Sequence, residues 1–265
     1  MLSNRNLKMT KRNTQQRRHT IVSLVQEQGE VSVDALAKHF ATSEVTIRKD
    51  LAVLETGGLL LRRYGGAVPL PSEMVVESNP EQVSKRKLAI ARAAAERIRD
   101  HNRVIIDSGS TTSAMIPMLG NKRGLIVMTN SLNVAGALRE LENEPTLLMT
   151  GGTWDPHSES FQGQVAEQVL RSYDFDQLFI GADGIDPERG TTTFNELVGL
   201  SRVMAEVSRE VIVMVESEKI GRKIPNLELP WSGIHTLVTD EGLASAAREQ
   251  IQARGIQLIC APVAV

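Results

Sequence analysis

Five short stretches of this sequence are rich in glycine or in hydroxyl, carboxamide and carboxylate side chains. They are Asp107-Ser-Gly-Ser-Thr-Thr112, Thr129-Asn-Ser131, Gly151-Gly152, Gly181-Ala-Asp-Gly184 and Gly190-Thr-Thr-Thr-Phe-Asn-Glu196. Glycine lets a backbone approach a ligand closely, and hydroxyls next to the free amides of a helix start suit a phosphate. Asp107, Asp183 and Glu196 are of the kind that can work as general acid or base beside a sugar carbon. Each stretch also has a plainer use, because Ser, Thr and Asn after a strand commonly cap the next helix, and Asn195 is open to that reading. None of the five is a G-x-G-x-x-G or a G-x-x-x-x-G-K-[ST], which argues against NAD or ATP, so no cofactor is expected. A second group of residues is basic. Arg48 and Lys49 follow Ser43, Glu44, Val45 and Thr46, and Arg62 and Arg63 lie a little further on. Arginine and lysine in such a cluster can reach guanine edges or phosphates.

The basic group needs a small helical scaffold. Ile21, Leu24 and Val25 fit a first amphipathic helix that carries Arg17 and Arg18 and stops at Gly29. Val33, Leu36, Ala37 and Phe40 fit a second. Ser43 is placed to cap a third, in which Ile47, Leu51 and Leu54 recur on one face and leave Glu44, Thr46, Arg48 and Lys49 outside. Residues 59–68 then read as a β-hairpin around a Gly-Gly turn that carries Arg62 and Arg63. Three helices and a hairpin make a winged helix-turn-helix, whose third helix enters the major groove.

The glycine-rich stretches need a different scaffold. Short runs rich in Val and Ile occur at 103–107, 125–129, 146–150, 177–182, 211–216, 235–239 and 256–261. Helical stretches at 111–119, 132–141, 164–172, 195–209 and 243–254 lie between most of them, and 85–100 forms a further helix ahead of the first. Near-continuous apolar strands separated by helices predict an open, mostly parallel sheet covered on both faces. Ligands of such sheets bind at the carboxyl ends of strands, where these stretches fall. The predicted fold class is therefore α/β: a winged helix-turn-helix followed by an open parallel α/β sheet. Three prolines between Pro69 and Pro80 mark the boundary. The division is a basic arm over 1–14, a DNA-binding domain over 15–68, a linker over 69–80 and an effector-sensing domain over 81–265.

Composition narrows the function classes. Residues 1–70 of the 265 carry 11 Lys/Arg against 6 Asp/Glu, a net charge of +5, which leaves −7 for the remainder of a chain whose total is −2. A basic head on an acidic body points to a polyanion partner for the head. Aromatic residues are 3% of the chain, so a stacking platform for RNA is not expected. A single cysteine, Cys260, excludes an intrachain disulfide, and five scattered histidines offer no metal-ligand spacing. The polar, basic start lacks the apolar core of a signal peptide, and no apolar run reaches the ~18 residues of a membrane span. A reducing, cytoplasmic setting is expected, with no membrane partner and no metal.

The residues quoted for the head also resemble a known family. Arg17, Ile21 and Val25, then Ser43-Glu-Val-Thr-Ile-Arg-Lys-Asp-Leu51, Leu54-Glu55, Gly57 and Arg63-Tyr-Gly-Gly-Ala67, look like the DNA-binding signature of DeoR-type bacterial repressors. The body, over about residues 75–262, resembles that family's sensor domain, which is similar in fold to sugar-phosphate isomerases. The resemblance implies that the Ser108–Thr112 loop (Ser108, Gly109, Ser110, Thr111, Thr112) cradles phosphate. It implies that Asn130 and Asp183 bond sugar hydroxyls and that Lys219 meets phosphate charge. Asp107, Ser131, Gly151, Gly152, Gly181, Asn195 and Glu196 belong to the same blocks. Within the family the sequence looks most like glucitol- and galactitol-type repressors. It departs from the family's pattern at Asp155-Pro156, where a basic residue is usual, and at Glu216-Ser-Glu-Lys219, where Asp-Ser-Ser-Lys is usual.

The expectation is a transcriptional repressor of a carbohydrate or sugar-alcohol operon, released by a phosphorylated sugar or related metabolite. Its partners are double-stranded operator DNA, the small-molecule effector and, because two half-sites need two heads, further copies of itself in a homodimer or homotetramer. The alternative is a sugar-phosphate isomerase-type enzyme with an appended DNA-binding domain. Fold analogy alone does not license catalysis, and no enzyme activity is expected.

Overall fold

The computed structural model describes residues 17, 18, 20–22, 24, 25, 28–56, 60–63, 65–69, 83–156, 158–193, 195, 198–222, 224 and 226–263. The chain divides into two compact units, Met1–Pro80 and Glu81–Val265. The basic arm and nearly all of the proline-rich linker lie outside the described residues, as do Gly57, Gly58, Tyr64 and Glu196.

In the first unit the described residues between 17 and 28 are helical and form α1. They are followed by β1 (Val31–Ser32), α2 (Val33–His39), α3 (Glu44–Thr56), β2 (Leu61–Arg63) and β3 (Gly66–Val68). The apolar spacing sets this arrangement: Ile21, Val25, Leu36, Ile47, Leu51, Leu54 and Leu60 are all buried in one core. Strands β2 and β3 pair antiparallel as the expected hairpin. The structure adds β1, which pairs antiparallel with β3 through Val31 and Ser32. Gly66 makes that pairing possible, because a Cβ there would stand 2.6 Å from the Val31 carbonyl oxygen.

In the second unit α4 (Lys85–Ala95) precedes β4 (Arg103–Ile106), α5 (Ser110–Ser113), β5 (Ile126–Thr129), α6 (Leu132–Arg139) and β6 (Thr146–Met149). Then follow β7 (Thr153–Asp155), β8 (Ser160–Gln162), α7 (Gln164–Leu170), β9 (Phe175–Gly181), β10 (Gly184–Asp186) and β11 (Gly190–Thr193). The last elements are α8 (Gly199–Glu206), β12 (Ser208–Met214), β13 (Asn226–Pro230), β14 (Thr236–Asp240), α9 (Ser245–Gln252) and β15 (Gln257–Ala261). All seven expected strands form one sheet in the order β15-β14-β12-β9-β4-β5-β6, and every neighbouring pair is parallel.

Side chains of a strand alternate between faces, and two cores result. Ile105, Leu178, Ile180, Val211 and Val213 face α7, α8 and α9. Val104, Ile106, Phe179, Ile212 and Met214 face α4, α6 and the turn at Ile116–Leu119. No helix among the described residues is long and apolar enough to cross a membrane.

Several helices are shorter than the sequence suggests. The expected helix at 111–119 breaks into α5 and a 3-10 turn over Ile116–Leu119. Pro117 lacks the amide an α-helix would need there, and its ring would crowd the carbonyl one turn back. The expected helix at 195–209 is confined to α8, whose N-cap is Val198, so Asn195 does not cap it. Its last expected turn is the start of β12, and 85–100 is helical only as α4 up to Ala95. Gly190–Thr193 is the middle strand of a small antiparallel sheet, β10-β11-β13, rather than a loop. Strands β7 and β8, announced by no apolar run, form an antiparallel hairpin.

Candidate functional site

The third helix of the first unit presents the basic face. The Ser43 hydroxyl accepts from the Thr46 amide at 3.2 Å and lies 2.9 Å from the Thr46 hydroxyl, which starts α3 as a capped helix. Glu44, Val45, Arg48 and Lys49 are exposed on it, while Ile47 is fully buried. Arg48 donates to Glu44 one turn earlier at 2.6 Å, an exposed pair that DNA can readily replace. Lys49 and Arg63 make no ion pair among the described residues. In the hairpin the Arg62 amide donates to Glu55 at 2.9 Å, which ties the wing to the end of α3.

Sequence reasoning missed what holds α3 in place. Asp50 is 2% exposed and accepts from Arg17 at 2.6 Å and from Arg18 at 2.7 Å, one on each carboxylate oxygen. Two guanidiniums of α1 are thus committed to α3 and are not available to a polyanion. The signal was present: Asp50 falls three residues after Ile47 and one before Leu51, on the inner side of the helix.

In the second unit the carboxyl ends of parallel strands share one edge of the sheet, and most of the expected effector residues collect there. Asn130 after β5 and Asp107 after β4 form the tightest group. The Asn130 amide nitrogen donates to Asp107 at 2.8 Å, and its carbonyl accepts the Ser108 amide at 3.1 Å. Burial pushes the Asp107 carboxyl up to about 6, although bonds from Asn130 and Ser108 pull the other way. Gly109 holds a positive φ of 132°, and the Thr112 hydroxyl donates back to its carbonyl at 2.9 Å. Thr111 and Thr112 are buried. Helix α5 has only four residues, so its dipole adds little at the loop.

Lys87 was not among the expected residues. It reaches from the first turn of α4 and donates to the Ser110 hydroxyl at 2.7 Å. A cue existed, since Lys85, Arg86 and Lys87 crowd cations into a helix start, where the dipole disfavours them.

After β9, Asp183 accepts from the Thr193 hydroxyl at 2.7 Å. A Cβ on Gly181 would point into open space. Lys219 ends a 3-10 turn after β12, and its ammonium lies 3.5 Å from the Ala182 carbonyl oxygen, beside Asp183. It does not pair with its acidic neighbours. Glu216 accepts from Ser84, and Glu218 is paired with Arg86. Asp155, the other acidic departure, accepts from the Ser158 hydroxyl at 2.6 Å.

A second buried carboxylate stands behind these loops. Glu228 of β13 is 9% exposed and accepts from Ser201 at 2.8 Å. Burial first, then the negative charges of Asp107 and Asp183, push it up to about 8, against bonds from Ser201 and Thr191. Burial thus favours the protonated, neutral form of Glu228.

The remaining expected residues have local uses. Ser131 caps α6 by accepting the Val134 amide at 3.3 Å. At Gly152 a Cβ would stand 2.5 Å from the Gln162 carbonyl oxygen, so close packing of the β7–β8 hairpin requires glycine there. Asn195 follows the small sheet, where its amide donates to Thr193 and its carbonyl accepts from Asn226. Among the described residues no three His, Cys, Asp or Glu side chains converge as metal ligands. A cleft of about 350 Å3 at the other edge, lined by Arg103, Tyr173, Phe175, Asp176 and Arg209 among others, includes none of the expected residues.

Two family models match the chain: the DeoR-like helix-turn-helix domain over residues 17–73 and the DeoR C terminal sensor domain over residues 82–241. A protein of Escherichia coli O157:H7, provisionally named as the aga operon transcriptional repressor, is 40% identical over 93% of each chain. The HTH-type transcriptional regulator GlpR of Haloferax volcanii is 33% identical over 92% of this chain and 96% of its own. The glycerol-3-phosphate regulon repressor of E. coli K12 is 33% identical over 78% of this chain and 83% of its own. Among solved structures, ribose 5-phosphate isomerase A of Methanocaldococcus jannaschii shares 19% identity at a TM-score of 0.36, over 51% of this chain and 53% of its own. That likeness is too slight to carry a functional argument.

Proposed function

The chain belongs to the DeoR family of DNA-binding transcriptional regulators, and from that premise we propose that it represses a carbohydrate or sugar-alcohol operon. A phosphorylated sugar or related metabolite at the carboxyl edge of its parallel sheet releases it from DNA. The observation that carries this reading is the union, in one chain, of a helix-turn-helix with an exposed basic face and a sensor fold that gathers an anion-ready loop at one edge. Relatives matched over nearly their whole length are named as regulators and repressors, which favours a regulator over an isomerase.

On the DNA side, Arg48 and Lys49 read or grip the major groove after Glu44 gives up Arg48, and Arg62 and Arg63 meet the backbone. Ser43 and Thr46 set the start of the helix. Two heads on two half-sites require a homodimer or homotetramer. On the effector side, the Ser108–Thr112 loop and the ammoniums of Lys87 and Lys219 take the phosphate, while Asn130, Asp107 and Asp183 take hydroxyls. Lysine–phosphate contacts are charge-assisted and stronger than neutral ones. Of the acidic departures, Glu218 is paired with Arg86, while Asp155 keeps its charge and accepts from the Ser158 hydroxyl.

The experiment has two arms. The purified protein selects duplexes from a random pool, and the selected sequences are expected to contain paired half-sites. The protein is then titrated with hexitol phosphates, sugar phosphates and unphosphorylated sugar acids. Binding of a phosphorylated compound without turnover supports the sensor; turnover would establish the isomerase alternative instead.

A further inference from the structure

The first turn of α4 is bonded to both sides of the candidate effector edge. The Ser84 hydroxyl donates to Glu216 at 2.8 Å, Arg86 donates to Glu218 at 2.9 Å, and Lys87 donates to Ser110 at 2.7 Å. The first two partners lie 132 residues away along the chain, on the 3-10 turn that also carries Lys219. That turn is itself anchored, because Ser217 donates its amide and its hydroxyl to Asp240 at 2.7 and 2.8 Å. Ser84 has a second duty: its hydroxyl caps α4 by accepting the Lys87 amide at 3.1 Å. One residue thus fixes both the start of α4 and the position of Glu216. The chain that enters α4 is the chain that leaves the DNA-binding unit at Pro80.

We propose that this turn, through Ser84 and Arg86 as positioning residues, is the relay by which effector occupancy reaches the DNA-binding unit. The inference rests on the reading that the effector occupies the carboxyl edge. An anion cradled by the Ser108–Thr112 loop draws the Lys87 ammonium toward itself and draws Lys219 from the other side. Both movements act on the turn that Ser84 and Arg86 hold, so the start of α4 shifts with that turn. Coupling of this kind is a free-energy difference between two arrangements, and it is lost when the element joining them is cut.

The Arg86–Glu218 pair is the place to cut, since both side chains are about half exposed and carry no core packing. The test uses Arg86→Glu, Glu218→Arg and the charge-swapped double variant, all in the full chain. The probes are fructose 6-phosphate, glucitol 6-phosphate and inorganic phosphate, and the DNA is a duplex selected by the wild type. Calorimetry measures probe affinity, and fluorescence anisotropy measures how far saturating probe lowers DNA affinity. Each single variant is expected to shift probe affinity with its local charge, weaker for Arg86→Glu and tighter for Glu218→Arg, while at saturating probe the drop in DNA affinity shrinks about three- to fivefold in both, as expected for an exposed pair turned into a like-charge contact. The swap is expected to restore the drop, which a merely structural role of either residue does not predict. Full release by both single variants overturns the relay and leaves the site standing. Release lost in Arg86→Glu but kept in Glu218→Arg follows the local charge rather than the pair and also overturns the relay. Wild type that binds none of the probes contradicts the effector site, and the relay falls with it.

Discussion

Single side chains carry two separable predictions. Arg48 stands exposed on α3, one residue past the buried Ile47, paired among the described residues with Glu44. If it reads a guanine edge, Arg48→Ala costs ~1–3 kcal/mol on the selected duplex and much less on random DNA. Equal loss on both makes it a phosphate contact, and no loss removes α3 from the groove; competition binding against random duplex decides. Glu228 makes a prediction in pH. Its folded carboxyl is raised to about 8 from an ordinary value of 4.5, so the folded state holds a proton that the unfolded chain gives up. Stability from this group is therefore greatest at low pH and declines as pH rises through that window. Glu228→Gln is expected to flatten the fall in melting temperature between pH 5 and 8, and an unchanged profile would show that Glu228 is not the group responsible. At this scale the sequence was informative where loop chemistry is local. The stretches around Asp107 and Asn130 meet because both follow neighbouring parallel strands. Asp50 and Lys87 left cues in the sequence but not their partners, and Glu228 left none, because each acquires its role from a partner on another element.

Secondary-structure elements differ in how openly the sequence declares them. The inner strands of the main sheet are largely buried on both faces, so their Val- and Ile-rich runs stand out, and the half-exposed edge strands β6 and β15 still carry enough apolar residues to be found. The small sheet hides behind threonines: Thr191, Thr192 and Thr193 are buried, yet Gly-Thr-Thr-Thr reads as a polar loop. Strand β1 has two residues and leaves no periodicity to see. Helix ends moved wherever a local restraint outweighed the apolar pattern, as Pro117 does after α5. The clamp between α1 and α3 gives the prediction at this level. Asp50→Asn keeps the shape but removes the charge that two guanidiniums share, and bonds to charged groups contribute roughly 1.5–3 kcal/mol. The helix-turn-helix unit of that variant is expected to unfold at lower urea concentration and to lose affinity for selected and random DNA alike. A stability equal to wild type would mean that Arg17 and Arg18 do not hold α3.

The molecule as a whole joins a positively charged head to a negatively charged body, +5 against −7, and the division of labour follows from it. The head's charge suits a polyanion, and on the proposed reading the body takes a small anion at the edge where Lys87 and Lys219 lie. Lys219 is the residue on which the account depends most, since its charge is unclaimed by Glu216 or Glu218 and stands at the end of the strand next to β9. The decisive measurement is release of the selected duplex by phosphorylated hexitols and sugars, followed by anisotropy for wild type and Lys219→Ala. The account predicts that a phosphorylated compound frees wild type from DNA. It predicts that Lys219→Ala holds DNA as tightly without ligand but needs at least ~10-fold more compound to let go, as the loss of a charge-assisted phosphate contact requires. Release of both proteins at the same concentration, or of neither by any phosphorylated compound, would contradict it.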